Sequence, residues 1–169
     1  LAISATRLYQ QSVQQQRFEH EMRLARDIQA SFLPERCPSP PGWQIAVDWR
    51  AARGVVGDYY DLIEFGDGML GVSIADVSDK GVPAALYMAL SRSVLRAAAL
   101  DSRSPAETLQ RANQVLMQDT RSGMFITSIY AIIELGTGSV RYVRAGHNPA
   151  LYVTRDGNVT LLEPVGIAL

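Results

Sequence analysis

Four aspartates crowd the two arms of one predicted hairpin. "GDYYDLIEF" (57–65) carries Asp58 and Asp61, "MLGVSIAD" (69–76) ends in Asp76, and Asp79 follows three residues later. Gly66-Asp67-Gly68 between the arms is a hairpin turn signal. Taken as a three-residue turn, it sets Leu62 opposite Val72, Tyr60 opposite Ile74 and Asp58 opposite Asp76. Facing residues have Cβ atoms roughly 5 Å apart, and like charges there destabilise a strand pair. Two things would offset that cost: a proton shared by the carboxyls, as in an acid–base dyad, or a cation between them. The donors on offer are oxygens, from Asp58, Asp61, Asp76, Asp79 and strand-end carbonyls. Hard oxygen donors suit magnesium or manganese. Zinc fits poorly, because Cys37, His20 and His147 are scattered. Gly57 permits close backbone approach, and Gly81 permits a sharp turn into a helix opening at Pro83. That helix start adds positive dipole for an anion such as a phosphate, which Lys80 would also reach. Acids merely solvated at the open end of a hairpin would give the same pattern.

The elements that must position these acids read as α+β. Composition, 47% hydrophobic and 20% charged over 169 residues, suits a domain with a real core. A net charge of −1 gives no electrostatic case for nucleic acid or an anionic membrane surface. No stretch is apolar enough to span a bilayer, and one cysteine allows no intrachain disulfide, so a cytoplasmic setting is expected. Residues 1–33 lack proline and glycine and predict one helix of roughly 50 Å. Its second half carries an apolar stripe of Phe18, Met22, Ala25, Ile28 and Phe32. Its first half keeps Leu1, Ala5 and Leu8 but breaks at "QQSVQQQ". Such a helix serves as a connector, as a two-chain coiled coil, or as a helix packed on its own domain.

"PERCPSPPG" (34–42) is a proline-rich joint in which Cys37 has no base partner. "WQIAVDWR" (43–50) alternates and predicts a strand. Strands are also predicted over 57–65, 69–76, 125–135, 139–145, 150–154 and 159–163. Between them lie two helices. The first buries Leu86, Leu90 and Val94. The second starts with Ser104 as cap and Glu107 closing a capping box, buries Leu109, Ala112 and Leu116, and is closed by Gly123. Met88, Met117 and Met124 are expected in the core, and His20, Arg92 and Arg96 on the surface. Strand runs around a helix pair argue for antiparallel sheet.

"GVVGDYYDL" (54–62), "GVSIADVSDKGVPAAL" (71–86), "GMFITSIYAIIE" (123–134) and "RYVRAGHNPALY" (141–152) resemble the bacterial PPM-type serine/threonine phosphatases. The branch is the SpoIIE/RsbU-like one, related to protein phosphatase type 2C. "LARDIQASFLP" (24–34) is similar to the helix leading into that domain, and residues 1–16 resemble the closing helix of a GAF-type sensor. The resemblance implies a β-sandwich of two antiparallel sheets flanked by helices, here residues 34–169, after a linker or coiled-coil helix at 1–33. It also implies two manganese or magnesium ions and hydrolysis of phosphoserine or phosphothreonine by a metal-activated water, with no enzyme nucleophile. Asp76 would bridge the metals, the Val77 carbonyl would bind one, and Asp58 would bind the second or its waters. Asp61, Asp79, Lys80, His147 and Asn148 are candidates for supporting or substrate contacts. His147 and Asn148 read first as turn residues satisfying backbone groups.

Val56, Ala75 and Asp79 depart from the commonest form of the motifs, and Asp79 adds negative charge beside the site. The family's later acids, near a Thr-Asp-Gly and a terminal Asp pair, have no counterpart before Leu169. The chain opens at Leu1 and is expected to be a piece of a longer protein; either it is cut before those acids, or they lie in a disordered tail, or the site is degenerate, and metal is expected to bind weakly or as one ion. The implied partner is a phosphorylated anti-sigma-factor antagonist, with dimerisation through residues 1–33. The rival readings are a catalytically silent signalling module, a receiver-like phosphoacceptor at Asp76 and, last, a two-metal nucleotide cyclase.

Overall fold

The computed structural model describes residues 2–51, 54–119 and 123–169. It begins with helix α1 (Ala2–Phe32), which closes with the Leu33 amide on the Ala30 carbonyl, just before Pro34. The side chains of Leu1, Ala5 and Leu8 lie outside the described ones. Hairpin β1 (Tyr59–Glu64) and β2 (Met69–Val77) follows, turning through Gly66 and Gly68 at φ 75 and 77. Only glycine adopts such angles at little cost. Helices α2 (Val82–Leu100) and α3 (Pro105–Asp119) come next, and then β3 (Ile126–Glu134) and β4 (Ser139–Ala145). How α3 gives way to Gly123 lies outside the described residues. An exposed hairpin, β5 (Ala150–Val153) and β6 (Val159–Leu162), forms a separate two-stranded sheet.

The main sheet has the order β1-β2-β3-β4, and every pair is antiparallel. The fold is thus α+β, with antiparallel sheets flanked by helices. Leu62 faces Val72 and Tyr60 faces Ile74, as the turn length requires. Odd-numbered side chains of β1 and β2 (Tyr59, Ile63, Ala75, Val77) point at α2 and α3 and are almost wholly buried. With Met88, Leu95, Leu109, Leu116, Ile126 and Tyr130 they form the core. Each large apolar side chain removed from water there stabilises the fold by about 1.5–3 kcal/mol.

Four expectations are corrected. Residues 43–50 form no strand. Their alternation is that of a strand, but the segment is held by side chains instead of a ladder: Trp43 Nε1 donates to the Leu135 carbonyl and Trp49 Nε1 to the Asp58 carbonyl, both at 3.0 Å. In α2 the buried face is Ala84, Tyr87, Met88, Ser91, Leu95 and Ala99, while Leu86 is 68% exposed and Leu90 40%. Small residues let the helix sit close to the sheet, and the same rotation carries Arg92 and Arg96 over β1. Met117 is exposed, whereas Met88 is buried and Met124 half-buried. At the start of α3 the capping box is only half made. The Glu107 amide donates to Ser104 Oγ, but the Glu107 carboxylate accepts from Ser102 Oγ at 2.8 Å. Ser102 Oγ in turn accepts from the Ser104 amide.

Candidate metal centre

Even-numbered side chains of the hairpin point away from the helices, and the site lies on that face. Asp58 sits one residue before β1, where continuing the register places it opposite Asp76. Thr127 is the next partner of Asp76 across the sheet. His147 follows just beyond β4, where Gly146 bridges to Ser128. A row therefore runs Asp58, Asp76, Thr127, His147 across the strand ends. The Asp76 carboxyl is the acidic neighbour that the Asp58 carboxyl meets across the strand ends. The Asp58 carboxyl is pushed above its ordinary value, first by its partial desolvation, then by the neighbouring Asp76 carboxyl and its charge, while His147 opposes the shift. One proton shared between two carboxylates is how such a pair exists without a cation.

His147 Nδ1 lies 2.8 Å from Thr127 Oγ1. Thr127 Oγ1 also lies 3.5 Å from the Asp76 carbonyl, so the hydroxyl stands between the imidazole and the Asp76 backbone. Burial lowers the His147 pKa, and the Asp58 charge works against that. Arg144 holds the loop, donating from Nη1 to the His147 carbonyl at 2.8 Å and from Nε to the Pro164 carbonyl at 3.0 Å.

The turn from β2 into α2 forms the other wall. Gly57 packs on it so closely that an added Cβ would lie 3.0 Å from the Val77 carbonyl oxygen and 3.1 Å from Val77 Cβ. The glycine is needed there for approach. Asp79 has φ 90, a left-handed conformation that favours glycine, and its Oδ1 accepts from the Lys80 amide at 2.8 Å. Gly81, at φ 74, launches α2. Asp58 and Asp76 lie between two open clefts. One of about 610 Å³ is bounded by Gly57, Val77, Asp79 and Lys80. The other, of about 600 Å³, is bounded by Trp49, Arg50, His147 and Asn148.

Asp61 does not belong to this site. It is fully buried on the opposite face of β1, where its carboxylate pairs with Arg92 and Arg96. That also corrects the surface reading of the two arginines. The signal was available: Asp58 and Asp61 differ in parity, so a strand must send them to opposite faces. Two contributors escaped sequence reasoning. Thr127 ties Asp76 to His147. Gln29, 3% exposed on α1, donates from Nε2 to the Val56 carbonyl at 2.5 Å and accepts from the Val56 amide at 3.0 Å. A side-chain amide there imitates a strand partner for the loop leading into Asp58. Twenty-seven residues separate the pair, and no local pattern marks it.

The described residues contain no group of three or more His, Cys, Asp or Glu side chains able to hold a metal. The donors at the site are two carboxylates and the Val77 carbonyl, a hard set that fits one magnesium- or manganese-like ion held weakly.

Known proteins share the sequence and fold of this chain. The family described as Stage II sporulation protein E (SpoIIE) matches residues 66–169. The protein IcfG of Synechocystis is 32% identical over 88% of this chain and 28% of its own length. The phosphoserine phosphatase RsbU of Bacillus subtilis is 30% identical over 92% of this chain and 46% of its own. The chain thus spans less than half the length of these curated relatives. The SiaA-PP2C domain of Pseudomonas aeruginosa superposes with a TM-score of 0.72 at 22% identity, over 91% of this chain and 63% of that one, which supports the fold. Motifs, strand register and family match converge: the chain belongs to the SpoIIE family, in the RsbU-like branch of PPM-type phosphatases.

Proposed function

We propose that the chain is the core of a metal-dependent phosphatase that hydrolyses phosphoserine or phosphothreonine on a regulatory partner protein of the anti-sigma-factor-antagonist type. The observation that carries this reading is the facing Asp58–Asp76 pair at the mouth of two clefts. A bound magnesium or manganese ion would supply an activated water and neutralise charge on the phosphoryl oxygens. Asp58, Asp76 and the Val77 carbonyl would hold it. Lys80, at the rim of one cleft, would meet the phosphate, and the start of α2 at Val82 would add its positive dipole. His147 and Asn148 border the other cleft, where His147, oriented by Thr127, faces the acid pair. Asp79 would add negative charge beside the ion.

Residues 34–169 would form the phosphatase domain, acting in the cytoplasm. Residues 1–33 would link it to a sensor and pair with a second copy. Phe18, Leu24 and Ile28, each at least half exposed on α1, support that pairing. Among the described residues no helix is long and apolar enough to cross a membrane. The antiparallel order of the sheet argues against the receiver reading, which needs parallel βα units. The test is manganese-dependent phosphate release from a phosphoserine protein by the full-length protein. Release should vanish in Asp76→Asn. Equal rates in both proteins, with and without chelator, would leave the silent signalling module as the better reading.

A further inference from the structure

Asp61 is the most thoroughly bonded acid among the described residues, and the proposed chemistry has no use for it. Its buried carboxylate accepts Arg96 Nη1 on both oxygens, at 2.8 and 2.9 Å. Arg92 Nη2 reaches Oδ1 at 3.0 Å, as does the neighbouring Leu62 amide. Arg92 is 13% exposed and Arg96 40%. Two residues earlier, buried Tyr59 packs in one cluster with Ala84, Tyr87 and Met88 of α2, and burial pushes its hydroxyl up to about 12. Strand β1 is thus held on α2 by the ion pairs at Asp61 and by packing at Tyr59.

Stability alone does not account for this arrangement. Buried ions lose so much hydration that apolar replacements of similar volume are often neutral or better. What ion pairs add over apolar packing is direction, because a guanidinium fork fixes both distance and angle. The two elements pinned here are the two that lead into the site. Asp58 lies three residues before Asp61, roughly 10 Å along the strand. The loop carrying Val77, Asp79 and Lys80 runs directly into α2, whose first residue, Val82, lies roughly 15 Å before Arg92.

We infer that Asp61, Arg92 and Arg96 are positioning residues: a clamp on the rear face of the sheet that sets the spacing between Asp58 and the loop at 76–81. This inference rests on the metal-centre reading above. Manganese alone serves as the probe, with free Mn2+ followed by electron paramagnetic resonance on the full chain. Amide hydrogen exchange is recorded separately in chelator. Arg96→Met should remain folded, bind manganese at least tenfold more weakly, and exchange faster at 57–60 and 76–82. Arg96→Lys, which keeps the charge but loses the fork, should fall between it and wild type, and it decides the question should Arg96→Met fail to fold. Arg111→Met, which breaks only an exposed pair with Glu107, should change neither reading. Wild-type affinity with wild-type exchange in folded Arg96 variants would overturn the clamp, as would faster exchange spread evenly over the sheet. If Asp76→Asn binds manganese like wild type, the metal reading fails, and exchange at the two segments alone decides the clamp.

Discussion

Replacing Asp58 by Asn should move stability in opposite directions with and without metal. The substitution is nearly isosteric and removes one of two carboxylates that face each other at the rim of the sheet. Like charges in facing positions cost up to about 1 kcal/mol. Coulomb's law at about 4 Å gives about 1 kcal/mol in water and about 4 kcal/mol at an effective dielectric constant of 20. Both acids are exposed, so screening favours the lower end, and relief of about 1 kcal/mol is expected. For a chain of this size that corresponds to a rise in Tm of about 2–4 °C in chelator. In manganese at a hundred times the dissociation constant, wild type gains about 2.7 kcal/mol, or about 5–10 °C, and the variant gains little. The two melting curves should therefore exchange order on adding metal.

A pH series gives a second arm. The folded Asp58 pKa is raised above the unfolded 3.8, so the protonated folded form is the favoured one. Its contribution is complete below 3.8 and is lost as pH rises through the raised folded value. Metal-free wild type should thus gain stability from this group as pH falls from neutral, and Asp58→Asn should lack that gain. A variant less stable than wild type in chelator, or one with an undiminished manganese shift, would refute the paired-carboxylate argument.

Two further outcomes are expected. Gln29→Ala strips both partners from the Val56 backbone and should cost about 1–3 kcal/mol in denaturant unfolding, with faster amide exchange at 55–57. Asp79→Gly relieves a φ of 90 and should stabilise the chain by about 1 kcal/mol, seen as a higher denaturant midpoint at unchanged slope.

Much of this protein is written in short-range pattern. A glycine-bounded turn fixed the partners along β1 and β2, and with them the meeting of Asp58 and Asp76, because register follows from loop length alone. Pro83 and Ser104 marked the helix starts, and β4 occupies the predicted residues 139–145. Gly57, read from sequence as a point of close approach, does press on Val77. Other features depend on what lies across the molecule. Periodicity gives a helix an apolar stripe, but packing decides which stripe is buried; α2 turns Leu86 and Leu90 outward so that Met88 and Leu95 meet the sheet and Arg92 and Arg96 meet Asp61. A strand needs a partner for its backbone as well as alternation, and the segment 43–50 has the second without the first. Gln29 and Thr127 look ordinary in sequence. They become part of the site because hydrogen bonds form between residues close in space, whatever their separation along the chain.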